Sequence, residues 1–465
     1  MSETQTDTLN FRRLLPVLVI VFVDVMGLTI IIPIIPFYAL AFDATPLIIG
    51  LLVSCYPLMQ FLFVPILGAL SDRIGRKPVL AAAQVGTFTS LLIMGFASNL
   101  WMLFLARLVD GITGANLATV QSAITDSTSP QNRAKGLGLI GAIFGISFIL
   151  GPVLSGVALR LSGNNYSAPA FMAAGFALVS ILLTTFVFEE TLPPEKRGQG
   201  QSRRHNVGRM IRALSDPKLG VLFLLVWLLQ TIFGSFQATF APFTLNRLGL
   251  NSFGNAIFFA TFGLVIAFVQ GGLVGPLSKR FGERRLIFVG LASFAMGFLL
   301  TSFTPQQVVP WYTQQAMIDE LTQQTTIVEG EVEVSKENGA APSPSPEQLA
   351  LLPPETNKGT SALIYMLLAL LPVPFGFALM SPNISSLITK RADPKQIGEA
   401  LGLNAAFMAL GTATGPSIGG IIFDFLGPQL LYAIIGLAAI GLLFIMLNRL
   451  RSLPLEKQHL GSVDI

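Results

Sequence analysis

Twelve stretches of continuously apolar residues, each about as long as a bilayer core is thick, dominate this 465-residue chain. A helix needs roughly 20 apolar residues to cross the hydrocarbon. That ruler places the stretches at 14–40, 46–70, 78–98, 100–124, 136–159, 167–188, 219–243, 253–276, 286–303, 361–387, 400–423 and 428–448. The runs do not alternate between apolar and polar positions, which favours helices over a membrane barrel. Charged residues make up 12% of the chain, about half the usual share for a soluble domain. A soluble globule, a disordered chain and a nucleic-acid reader are therefore excluded. The expectation is an all-α membrane protein partnered by the lipid bilayer. Its first run is too long for a signal-peptide core and lacks a small-residue cleavage site, so it reads as a retained span.

Positive charges orient the bundle. An even number of spans puts both termini on one side, and Lys and Arg collect on the cytoplasmic side of a membrane. With the N-terminus inside, 24 of the 29 Lys and Arg fall in inner segments. Four fall outside (Arg160, Arg247, Lys336, Lys358) and one, Arg107, within a span. Both termini are thus expected in the cytoplasm, in a plasma (inner) membrane protein that acts as a monomer. Cys55 is the single cysteine, and His205 and His459 lie among charged residues. No spacing suits a metal, and no catalytic residue or cofactor is expected.

Two polar segments interrupt the spans. Residues 189–218, basic and rich in Pro, Gly and Ser, read as a cytoplasmic linker. Residues 304–360 form an outer insertion with eight acids, the pattern of a short amphipathic helix over 314–325, and the run Ala341-Pro-Ser-Pro-Ser-Pro346, which cannot pack a core. An internal repeat explains their placement. Gly68-Ala-Leu-Ser-Asp-Arg-Ile-Gly-Arg-Lys77 matches Gly275-Pro-Leu-Ser-Lys-Arg-Phe-Gly-Glu-Arg284 at an offset of 207 residues. Gly136-Leu-Gly-Leu139 with Gly151-Pro152 matches Ala400-Leu-Gly-Leu403 with Gly415-Pro416 at an offset of 264. The offsets differ by 57, the length of the insertion 304–360, so one insertion reconciles both matches. The organisation expected is a six-helix half (1–188), the linker (189–218), a second half with its insertion (219–450) and a cytoplasmic tail (451–465). Parallel six-span repeats recur among secondary transporters.

The first repeat motif joins a helix-contact glycine (Gly68) to a carboxylate at a helix end (Asp72), a turn glycine (Gly75) and a basic cluster (Arg73, Arg76, Lys77). Asp72 can pair with Arg73, Arg76 or a neighbouring span. The motif and its place after span two resemble the loop signature of the major facilitator superfamily. That resemblance implies a conformational latch, with charge pairs that form in one state and break in the other. A plain positive-inside loop is the alternative. In the second copy Lys279 stands where Asp72 does, so its latch must differ or be absent.

Asp24 lies about ten residues into the first span. A carboxylate at mid-membrane costs roughly 2.5–3.5 kcal/mol even on the lenient insertion scale, so it should face a cavity or a partner. Asp24-Val-Met-Gly27 with Pro33 and Pro36 is similar to the first-span motif of twelve-span drug:proton antiporters, including tetracycline exporters, which implies proton coupling. A structural carboxylate paired to Arg107 is the alternative. Arg107, in Leu105-Ala-Arg107-Leu-Val-Asp110-Gly111-Ile-Thr-Gly114, resembles the fourth-span motif, where an arginine is implicated in proton transfer. Asp110, three residues on, can neutralise it and departs from the family, leaving open whether Asp24 or Asp110 titrates.

Gly141, Gly145, Gly151-Pro152 and Gly156 resemble the superfamily's antiporter motif, in which glycine packing and a proline kink favour export. Packing without directional meaning is the alternative. Glu190-Thr-Leu-Pro193 looks like the family's export-type ending. The implied cavity lies among spans one, four, seven and ten. Its candidate lining is Asn116 and Gln121, then Trp227, Gln230 and Gln237 at helical spacing, then Tyr365 and Asn383. Few fixed charges and an aromatic, hydrogen-bonding surface suit small amphiphilic organic substrates, exported in exchange for protons. Export of a sugar, glycoside or envelope-polysaccharide component also fits, with an envelope partner for the insertion. So does a non-transporting sensor or scaffold. The dinucleotide-like Gly136-x-Gly-x-x-Gly141 and the hydrolase-like Gly415-x-Ser417-x-Gly419 lack the strand contexts those motifs need, so no enzyme is expected.

Overall fold

The computed structural model describes residues 11–114, 116–126, 133–198, 207–329, 344–393 and 397–451. The expected tail beyond 451, His205 with the linker centre (199–206), and the start of the Pro-Ser run within 330–343 lie outside the described residues. Nearly everything described is helical, and the isolated bridge Val308–Lys358 is the β-structure among the described residues.

The first apolar run divides into α1 (Phe11–Ile31) and a short α2 (Ile35–Ala41). Pro33 lies at the division; its ring has no N–H to donate and clashes with the preceding turn. Helix α3 (Pro46–Ile74) is capped by Thr45, and α4 (Arg76–Gly95) follows after one residue. The fourth run differs from expectation. It forms α5 (Leu100–Thr113) and α6 (Asn116–Asp126), with the helix interrupted at Gly114. Next come α7 (Arg133–Leu161), α8 (Ser167–Phe186) and the short linker helix α9 (Val207–Leu214).

Helix α10 (Gly220–Leu248) ends at Gly249 in the left-handed region (φ 64°), and α11 (Ser252–Phe268) continues through a π-turn into α12 (Val274–Phe281). After α13 (Glu283–Ser302) the insertion supplies α14 (Gln314–Glu329) and α15 (Pro346–Leu351). Helices α16 (Ser361–Leu370) and α17 (Pro372–Arg391) form one long stretch, followed by α18 (Ile397–Leu426) and α19 (Pro428–Arg451). Eleven helical stretches among the described residues are long and apolar enough to cross a membrane, so this is a multi-pass membrane protein. The pair α5–α6 supplies none of the eleven, because each half is too short alone.

The insertion emerges at one end of the bundle, here the insertion end, and the linker at the other. At the insertion end the helices interlock. A Cβ on Gly50 of α3 would collide with the Pro416 carbonyl of α18, and one on Gly420 with the Pro46 carbonyl. Ser54 Oγ and Ser417 Oγ lie 2.8 Å apart, and the Leu47 N–H donates to Asp424 Oδ2 at 2.9 Å. Helices α7 and α11 meet likewise, with Gly156 against Phe253. At the linker ends of α3 and α18 and on α12, a Cβ on Gly68, Gly402 or Gly275 would meet nothing within 4 Å, so the helix contact expected of Gly68 is corrected. The insertion-end contacts join the helices before and after the linker.

Candidate functional site

Among the described membrane-crossing helices, the buried charges gather before the linker. Arg107 Nη1 of α5 lies 3.5 Å from Asp110 Oδ2, with the two side chains 6% and 10% exposed. The Tyr56 ring of α3 sits under the guanidinium, 4.7 Å from ring centroid to Cζ, an arrangement that stabilises a desolvated cation. Gly111 permits this, since a Cβ there would press to 2.6 Å from Met59 Cβ and hold α3 away. The loose pair leaves Arg107 Nε buried without a hydrogen-bond partner. Just beyond, Gln60 Nε2 donates to the Gly114 carbonyl at 3.0 Å and to Tyr56 Oη at 3.1 Å. Gln60 thus satisfies a carbonyl freed by the helix break, as backbone inside a membrane requires.

Asp24 of α1 is half-buried. Gln84 Nε2 of α4 reaches Asp24 Oδ2 at 3.4 Å and Ser180 Oγ of α8 at 2.7 Å. No ion pair forms between Asp24 and Arg107; Arg107 is engaged by Asp110. The structural alternative of an Asp24–Arg107 pair is therefore corrected. Asn116 stands at the start of α6 with a buried, unpartnered Oδ1, while Gln121 is exposed.

The loop motif is organised around Arg76, not around Arg73 or Lys77. Arg76 Nη1 donates to Asp72 Oδ1 at 2.6 Å and to Ser71 Oγ at 3.1 Å, and Nε donates to Asp126 Oδ2 at 3.0 Å. Glu190, from beyond α8, accepts from the backbone N–H groups of Arg76 (2.9 Å) and Lys77 (3.1 Å). An anion there satisfies the first amides of α4 and meets its positive dipole end. Gly75 has φ 115° and no room for a Cβ beside Glu190, so both its conformation and its space require glycine. Arg73 is exposed and Lys77 half-exposed. The Arg76 ion pairs with Asp72 and Asp126 lie among helices before the linker. The second copy carries a different pair, between Glu283 and Lys390, with Ser386 Oγ donating to Glu283 Oε1 at 3.1 Å.

Of the glycines after Arg133, Gly151 packs so closely that a Cβ would strike Thr29 of α1, and Pro152 is buried beside it. Gly145 approaches Ala267, while Gly141 meets nothing within 4 Å. Beyond the linker, a cleft is lined by Val226, Leu229 and Gln230 of α10, Phe377, Ser381, Ile384 and Ser385 of α17, and Asn404 and Met408 of α18. Trp227 Nε1 and Asn404 Oδ1 are buried without partners. Gln230 is thus the expected residue that lines this cleft, and Gln237 is half-buried one helical stretch away. Two expectations are corrected. Tyr365 turns its hydroxyl to the Leu300 carbonyl at 2.7 Å, bracing α16 on α13. Asn383 is buried, accepting from Ser278 Oγ and donating to the Leu379 carbonyl, both at 2.6 Å, so its amide is already satisfied.

Residues 17–318 and 349–463 match the family described as Major Facilitator Superfamily. The chain belongs to that superfamily. Within it, the Vibrio anguillarum "Tetracycline resistance protein, class G" is 37% identical over 296 residues, covering 62% of this chain and 74% of that one. The class B protein of Escherichia coli is 34% identical over 290 residues, covering 62% and 71%. "Multidrug resistance protein 1" of Bacillus subtilis (strain 168) is 26% identical over 405 residues, 87% of each chain. Among solved structures, the human organic anion transporter MFSD10 (TETRAN) superposes with a TM-score of 0.62 at 21% identity, covering 94% of this chain and 99% of that one. The nucleoside transporter NupG does so with 0.68 at 12%, again over 94% and 99%. These likenesses show the shared fold of the superfamily.

Sequence reading had not singled out Tyr56, Gln60, Gln84, Ser180, Asp126, Glu283 or Lys390. The first four are neutral polar residues scattered through apolar runs, with nothing but their neighbours in space to mark them. The signal for the last three was present in the repeat.

Proposed function

We propose that this superfamily member exports small amphiphilic organic compounds in exchange for protons by alternating access. The carrying observation is the group Asp24, Arg107 and Asp110, charged side chains held inside an apolar bundle where such groups are costly and mark ion pathways. Relatives named for tetracycline and multidrug resistance support the substrate class. In this reading α5 and α6 together make the twelfth crossing, both termini and the linker end are cytoplasmic, and the chain divides at 189–218 into two six-helix halves. The contacts between α3 and α18 at the insertion end support reading this as the inward-facing state. A proton arriving at Asp110 weakens the hold on Arg107, Asp24 is the other candidate for the titrating group, and the polar atoms of Gln230 and Asn404 in the cleft hold the solute. The Arg76 cluster is the latch of the first half, and the Gly151–Thr29 contact is the packing that lets α7 move with α1.

Everted membrane vesicles with an acidified lumen test this reading. Tetracyclines, cationic dyes and glycosides are added in turn, and lumenal proton release is followed. Release is expected with one amphiphilic class and lost in Asp24→Asn. Silence across the panel from folded protein would sink drug export, and release with glycosides alone would replace the substrate class.

A further inference from the structure

Among the described residues outside the membrane-crossing helices, one carboxylate to which transport assigns no task is buried. Glu320 of α14, in the insertion, is 6% exposed. Its Oε1 accepts from Tyr166 Oη (2.9 Å), Ser252 Oγ (2.7 Å) and the Ser252 N–H (3.4 Å). Its Oε2 accepts from Asn164 Nδ2 (3.2 Å) and Asn251 Nδ2 (3.3 Å). Asn164 and Tyr166 belong to the connection between α7 and α8, before the linker, whereas Asn251 and Ser252 open α11, after it. One carboxylate therefore ties both halves together at the insertion end. The local geometry orients these donors. Asn251 caps α11 by accepting the Gly254 N–H on Oδ1 at 3.0 Å, which leaves its Nδ2 turned to Glu320. Asn164 sits in the left-handed region, φ 68°, a conformation asparagine tolerates.

A second strand of the same strap crosses between halves at α15. Gln348 Nε2 donates to the Leu40 carbonyl at the end of α2 at 2.9 Å, and Gln348 is itself fixed by the capping box with Ser345. The insertion is anchored to its own half by buried Val309, whose N–H donates to the Leu248 carbonyl of α10 at 2.9 Å, while Tyr312 Oη donates to the Pro353 carbonyl within the insertion.

We infer that the insertion is an extracytoplasmic clasp, with Glu320 and Gln348 as positioning residues that hold the transporter closed at the insertion end. This rests on the alternating-access reading above. Opening that end separates the donors Asn164 and Tyr166 from Asn251 and Ser252, so the carboxylate can keep one set only. Removing it penalises the closed state more than the open one, since the buried Tyr166 and Ser252 hydroxyls lose their shared acceptor there.

Spin labels on Leu70→Cys and Leu401→Cys, at the linker ends of α3 and α18, in a Cys55→Ser background in lipid vesicles, read the equilibrium by the distance between them. The parent should populate a long and a short distance whose ratio changes with pH or added tetracycline. Glu320→Ala should shift the ratio toward the short, linker-end-closed distance by about tenfold, roughly 1.4 kcal/mol. Gln348→Ala should shift it in the same direction by less. Glu320→Gln, which keeps the shape but offers an amide N–H₂ to two donors, should fall between the parent and Glu320→Ala and guards against misfolding of the latter. A switching parent with all three variants unmoved overturns the clasp alone. A parent fixed at one distance under every condition overturns the transport cycle and the clasp with it.

Discussion

The two halves of the duplicated chain keep one arrangement with opposite signs and share almost none of the membrane charge. Moving Arg76 by the repeat offset of 207 reaches Glu283, and moving Asp126 by 264 reaches Lys390. Both pairs are formed, Arg76 with Asp126 and Glu283 with Lys390, so the position of the link survives while its polarity inverts. Deeper in the bundle nothing similar survives. By the same offsets Asp24 corresponds to Thr231, Gln84 to Leu291, Arg107 to Leu371 and Asp110 to Pro374. A link at a wet helix end needs complementary charge of either sign, whereas a charge inside the bilayer is expensive and is kept where it has a task. The first half carries the charges and the second carries the neutral cleft with Gln230 and Asn404.

The largest test copies the second half into the first. Arg107→Leu installs the residue found at the repeat position and leaves Asp110 buried without its cation. Breaking one side of a buried pair costs about 3–5 kcal/mol, so the thermal midpoint of the purified protein should fall by many degrees. Adding Asp110→Asn should recover most of that loss, while proton release in vesicles stays absent in both variants. A double variant as unstable as the single one would show that Arg107 is held by its Tyr56 contact and not by the carboxylate.

The inverted link gives a smaller, asymmetric effect. Exchanging the pair as Glu283→Lys with Lys390→Glu should leave the thermal midpoint nearly unchanged. Either change alone costs about 0.2–1 kcal/mol, the range of solvent-exposed pairs, since the Lys390 side chain is 60% exposed. The same exchange before the linker, Arg76→Glu with Asp126→Lys, should fail. Asp72 and Glu190 remain around the introduced glutamate, the Arg76 side chain is 9% exposed, and the loss should reach roughly 2–4 kcal/mol. Equal tolerance in the two halves would mean that the extra carboxylates around Arg76 do not hold it in place.

Much of the fold was legible because apolar length is a local property. Every expected span falls on helix, with three of them divided near Pro33, Gly114 and Leu371. The break at Gly114 was not legible, because a window spanning 100–124 averages hydropathy across it. Gly114 gives the chain its freedom there, but the acceptor that makes the break tolerable is Gln60, 54 residues earlier. Tyr365 and Asn383 were misplaced for a related reason. Helical spacing says which residues share a face, and only tertiary packing says which neighbour that face meets. Asp126, Glu283 and Lys390 were within reach of the repeat arithmetic, since complementary signs at both mapped positions imply a contact. Glu320 was hidden among eight acids in the insertion, and nothing local distinguishes it from Glu355.

Those two insertion glutamates give the smallest and sharpest contrast. Glu320 is buried among neutral donors, whereas Glu355 stands in solvent, accepting the Gln314 N–H at 2.6 Å and pairing with Lys358 at 2.9 Å. The Gln314 N–H and then Lys358 hold the Glu355 carboxyl below the usual carboxylate range. A group with a depressed folded value stabilises fully above its unfolded value and loses that contribution as pH falls through the folded one. The start of α14 should therefore loosen on acidification below the ordinary carboxylate range. Hydrogen exchange at the Gln314 amide reads this directly. Protection in the parent should drop between pH 7 and pH 3, while Glu355→Gln should show the lower protection at both. If the variant kept the full pH dependence, the acid response of the strap would belong to another carboxylate and the contrast between the two glutamates would collapse.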